Sequence, residues 1–180
     1  MGYYVRTEAS EFFIKKEDFQ SCYKAMCKLN DYDHLKRGGG WGGENISSDD
    51  PRPEHMDYHP ARWFSWMDAN YPKEIATFHQ MLMELGFSPT YDDDGNLVDL
   101  VYNNKQGQED LFFCAISPWV KDESWIEWRG EDTDVFRWYF AAGQMRLQGA
   151  QLKWVEVEWG KLAKSLSTKQ LVECWSAGQA

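Results

Sequence analysis

No apolar run in the chain approaches the roughly 18 residues that a membrane-spanning helix needs, so a soluble protein is expected. No apolar signal-peptide core stands near the first residue, which points to the cytoplasm. Cysteine is scarce and unpatterned: Cys22, Cys27, Cys114 and Cys174 form no CxxC pair. Cys22 falls on the apolar stripe of an expected helix, and Cys27 and Cys114 fall on or beside such stripes. A reduced thiol there serves as a small hydrophobe, and a reducing compartment follows.

Positive charge is in deficit. Nineteen Lys and Arg face 29 Asp and Glu, for a net charge of -10 and an isoelectric point near 4.8. That balance opposes non-specific attraction to phosphate or to an anionic membrane, and it disfavours direct nucleic-acid binding. It suits a basic partner. Catalytic motifs are missing too: no Ser sits in a G-x-S-x-G elbow, and Asp92-Asp93-Asp94 lacks the EF-hand ligand pattern. No cofactor, metal or catalytic residue is assigned.

What the chain has in abundance is aromatic rings. Ten Trp, nine Tyr and ten Phe make 16% of 180 residues, and each buried ring removes roughly 150–250 Å² from water. A chain of this length builds its own core without staples or metals. Six of these rings lie between Arg37 and Pro72. There Gly38-Gly39-Gly40-Trp41-Gly42-Gly43 precedes a polar Asn/Ser/Asp/Pro stretch and then His55-Met56-Asp57-Tyr58-His59-Pro60-Ala61-Arg62-Trp63-Phe64-Ser65-Trp66. A connection this long is either functional or disordered. Its rings argue for order, because disordered segments are poor in them.

Along the chain, 2–14 reads as a strand, and Phe19, Cys22, Tyr23, Met26 and Cys27 recur at the spacing of one helical stripe. Pro72 suits a first helical turn, with Ile75, Phe78, Leu82 and Leu85 on one stripe and Gly86 as the left-handed cap. Asp94-Gly95 marks a hairpin turn whose second strand carries Val98, Leu100 and Tyr102. A third helix is expected over 108–117, with Phe112, Ala115, Ile116 and Trp119 on its stripe and Pro118 ending it. Strands follow over 125–130, 135–140 and 144–149, with Glu127 and Arg137 as cross-strand charges. Residues 152–159 suggest another strand, and Ser167-Thr168-Lys169-Gln170 a capping box opening a last helix.

The expected fold is α+β, an antiparallel sheet with helices packed mainly on one face. One domain spans 1–150 with the long loop 37–72, and 151–180 is a strand and helix extension packed on it.

The site candidates come from the loop. Arg62, Trp63 and Trp66 belong to the residue types enriched at interface hot spots, and Trp41 is framed by glycines. Trp63, Trp66 and Met67 also have helical i, i+3, i+4 spacing, so burial of that face, with at least one Trp in the core, competes with exposure. The glycine run lacks the Lys-Ser/Thr end of a P-loop and reads as a sharp bend that lets Trp41 tuck in. His55 and His59, with Glu54 and Asp57, are the remaining chemistry, but Pro53 and Pro60 leave little room for the helix that would aim two imidazoles at a metal.

The opening Met1-Gly2-Tyr3-Tyr4-Val5-Arg6, the Gly38 to Gly43 run and Arg62-Trp63-Phe64-Ser65-Trp66-Met67 together resemble a set of small uncharacterised proteins from phages and bacteria. Trp128-Arg129-Gly130-Glu131-Asp132 followed by Phe136-Arg137-Trp138 is similar as well. The resemblance covers most of the first 148 residues and implies no activity and no functional residue. In size and acidity alone the chain is similar to inhibitors of host defence such as anti-CRISPR proteins. The expectation is a non-catalytic phage or mobile-element protein that docks Trp41, Arg62, Trp63 and Trp66 on a host protein or complex. The alternatives are a small-ligand or metal-dependent enzyme with its pocket under the loop, and a structural subunit of a virion.

Overall fold

Along Trp125–Gly130 the side chains alternate, with Ile126, Trp128 and Gly130 buried and Trp125, Glu127 and Arg129 half-buried, as expected of a strand with one covered face. The computed structural model describes residues 3–38 and 62–150. Trp41, the segment with His55 and His59, and the strand and helix expected beyond 150 lie outside the described residues.

Six strands form one antiparallel sheet: β1 Tyr4–Glu11, β2 Phe87–Tyr91, β3 Leu97–Lys105, β4 Trp125–Gly130, β5 Val135–Ala141 and β6 Gln144–Gly149, in the order β2-β3-β1-β4-β5-β6. Among the described residues four α-helices accompany it: α1 Phe19–Lys28, α2 Tyr71–Glu74, α3 Phe78–Glu84 and α4 Glu109–Ile116. The fold is α+β. β1 carries a register shift between Thr7 and Ala9, where the strand kinks beside β4. Ile14 lies beyond β1 and bridges both Leu97 and Val120, which ties the end of the first strand to two distant segments.

Several expectations are corrected. The stripe from Ile75 to Leu85 is not one helix: Ile75 is extended at ψ 126°, and Thr77 starts α3 afresh by accepting a hydrogen bond from Gln80 N–H at 3.2 Å. The hairpin around Gly95 spans five residues rather than two. The Asp92 carboxylate accepts from Asp94 N–H, Asn96 N–H and the Asn96 side chain, and Asn96 holds it below the usual carboxylate range. Gly86 is left-handed as expected, at φ +90°. Cys22 is fully buried in the stripe, whereas Cys114 is exposed on the side of α4 away from the core.

The core is aromatic. Phe113 of α4 sits 4.9 Å from Phe87, 5.1 Å from Trp138 and 5.8 Å from Phe12 by ring centres, and Trp128 lies 4.5 Å from Trp138. The preceding residue along the helix belongs to a different group: Phe112 meets Phe64 at 5.2 Å and Tyr71 at 5.7 Å. Successive helical residues diverge by about 100°, so α4 faces the sheet with one ring and the connecting segment with the other. Replacing Phe113 with Ala is expected to cost about 3–5 kcal/mol, read as a fall in urea midpoint with an unchanged slope.

Candidate functional site

Within Arg62-Trp63-Phe64-Ser65-Trp66-Met67 the structure separates the rings. Phe64 and Met67 are buried, while Trp63 and Trp66 keep 40% and 49% of their surface exposed. No helix forms here. Instead Met67 N–H donates to the Phe64 carbonyl at 3.0 Å, closing a turn in which Trp66 takes the third position at φ +70°. That left-handed position favours glycine or asparagine, and a side chain there costs roughly 1–2 kcal/mol. Helical spacing therefore misread this segment: it is the Phe and the Met that go inward, and neither described tryptophan is a core residue.

Each exposed indole rests on a glycine. Gly38 N–H donates to the Trp63 carbonyl at 2.9 Å, and the Trp63 ring fills the place where a Cβ on Gly38 would be. The Trp66 ring fills the same place at Gly107. A methyl group at either position displaces an indole. The glycine run is expected to serve Trp41; its described end, Gly38, serves Trp63.

Gln108, which the sequence reading left without a role, fastens the two seats together. It is buried just ahead of α4, where its Oε1 accepts from Arg37 N–H at 3.0 Å and Ser65 N–H at 3.3 Å, and its Nε2 donates to the Leu35 carbonyl at 2.7 Å. Both passes of chain flanking the long loop are thereby tied to one helix. Arg62 lies half-buried at the edge of this arrangement.

Beneath Trp66 lies a buried acid. Glu109 is 4% exposed, and both its carboxyl oxygens accept from Gly107 N–H, at 3.1 and 2.8 Å. The Tyr102 hydroxyl stands 2.9 Å from Glu109 Oε1 and 2.6 Å from the Lys105 carbonyl. A hydroxyl has one proton for these two acceptors. If Glu109 is protonated the arrangement closes: the acid donates to Tyr102, and Tyr102 donates to Lys105. Burial, the largest cause, raises the Glu109 carboxyl above its ordinary value in agreement with this.

Nucleophilic chemistry has little support among the described residues. Burial pushes the Cys22 thiol up to about 12 and raises that of the half-buried Cys27, so the reactive thiolate is suppressed at both. Among the described residues no three His, Cys, Asp or Glu side chains converge as a metal site would require, and none of the described helices is long and apolar enough to cross a membrane. His55 and His59 lie outside this statement. No protein-family model, curated protein or solved structure matches the chain.

Because the native carboxyl of Glu109 holds its proton to higher pH than the unfolded one, the native state binds more protons above pH 4.5. Its contribution to stability is full below that value and is lost as pH rises through the raised native value. In Glu109→Gln the amide takes the place of the protonated acid. Urea midpoints of wild type and variant, compared from pH 4 to pH 8, are expected to diverge with rising pH, the variant becoming the more stable of the two.

Proposed function

We propose that this is a non-catalytic binding protein that docks on another protein through Trp63 and Trp66, with Arg62 beside them and Trp41 drawn from the same loop. The observation that carries the reading is the pair of half-exposed indoles held on glycine seats by a turn whose other rings are buried. Trp and Arg dominate the residues whose truncation weakens protein interfaces, and anchors fixed in advance lose little side-chain freedom on binding. The net charge of -10 steers such a surface toward a basic partner. A host complex that handles nucleic acid fits that description, which gives the protein the role of a phage or mobile-element inhibitor, similar in kind to an anti-CRISPR.

The test begins with capture of the partner from the native host by the wild-type protein, followed by titration of the purified partner against variants. Trp63→Ala and Trp66→Ala are each expected to weaken binding roughly thirtyfold, as hot-spot residues do. Arg146→Ala, exposed on β6, serves as the control and is expected to bind as wild type. Undiminished affinity in the double tryptophan variant, with an intact thermal melt, overturns the assignment.

A further inference from the structure

The C-terminal end of α1 and the start of α2 border an open cavity of about 420 Å³, within the range of small-molecule sites. Three lysines line it, Lys24 and Lys28 one helical turn apart on α1 and Lys73 on α2, against a single acid, Asp31. None of the three lysine side chains makes an ion pair or hydrogen bond among the described residues. In a chain of net charge -10, three lysines and one aspartate give this cavity a local charge of +2. The helix C-terminus accounts for a cation at Lys28, in the last turn of α1. Lys73 arrives from another helix, in the last turn of α2.

Asn30 supplies a second, independent observation. It lines the same cavity, is 93% buried by its 7% exposure, and donates from Nδ2 to the Ala69 carbonyl at 3.3 Å, yet its Oδ1 has no hydrogen-bond partner. An unpaired buried acceptor of this kind costs about 1–3 kcal/mol and requires an explanation.

We propose that this cavity binds a small phosphate monoester, a sugar phosphate or mononucleotide in chemical class. A phosphate monoester brings close to two negative charges and three acceptor oxygens, which matches three ammonium groups better than one carboxylate does. Cys27 and Pro72 provide the apolar wall against which the body of the ligand lies. The site is separate from the tryptophan surface: its ligands come from α1 and α2, and no lining residue belongs to 62–67.

Calorimetric titration with ribose 5-phosphate and adenosine 5′-monophosphate tests the proposal, with ribose and malonate as controls and the Asn30 side-chain amide resonance as a site-specific readout. The phosphorylated probes are expected to bind and to shift that resonance, more weakly as salt rises, while ribose does neither. Lys24→Gln and Lys73→Gln, both exposed and without partners in the fold, are each expected to weaken binding roughly tenfold while leaving the melt unchanged. Absence of binding at millimolar probe overturns the site. Equal affinity for malonate overturns the phosphate assignment, and lysine variants that bind as wild type overturn the location.

Discussion

The structure depends on the wedge made by Phe112 and Phe113. These neighbours on α4 cannot face the same way, so one ring closes against Phe12, Phe87 and Trp138 while the other closes against Phe64 and Tyr71. The sheet core and the connecting segment are thus packed by the same short helix. Burying rings of this size contributes roughly 1.5–3 kcal/mol each, more than the backbone strain found in the segment they hold. That excess is why Trp66 can remain left-handed without the turn relaxing into a helix.

Polar groups at the start of α4 then convert packing into position. Gln108 has no side-chain capping bond to its own helix; its amide is spent on Arg37, Ser65 and Leu35 instead. Glu109 and Asp110 occupy the first helical turn, where the partial positive charge of the helix favours acids. For Glu109 burial opposes that advantage and raises its carboxyl above the ordinary value, and the residue links Gly107 to Tyr102 by hydrogen bonds. On the opposite, half-open face of the sheet the charges remain ionic. Glu8 bridges Arg6 and Arg129, whose charges hold its carboxyl below the usual range, with the Arg6 hydrogen bond the largest cause, and Glu127 meets Arg137 across the strands at 3.0 Å.

Features set by near neighbours in sequence were legible before the structure. Strands β4 to β6 follow from strict alternation interrupted by turn residues, and α1 follows from its stripe, because both signals are local. The strand order was not legible, since pairing β1 between β3 and β4 depends on contacts about a hundred residues apart. The break between α2 and α3 was masked by a stripe that continues across it, with Thr77 the one local sign. Phe113 was missed because a single stripe was sought where α4 buries two. At the site, exposure of the tryptophans could be entertained from composition, but the seats at Gly38 and Gly107 could not, because each pairs a ring with a glycine remote in the chain or outside the motif.

The placement of strain distinguishes two kinds of residue at the surface. A tryptophan at φ +70° is tolerated only where the flanking residues fix the turn, and here Phe64 and Met67 do so from inside the core. The ring at Trp66 contributes little to that fixation, since about half of it faces solvent. A side chain that takes on the conformational cost of a turn while leaving its own apolar surface in water is poorly explained by stability alone. Gly or Asn at the same position would satisfy the turn at lower cost. The indole therefore carries a conformational cost that its own burial does not offset, and the absence of a Cβ on the glycine beneath it leaves room for the ring in that orientation.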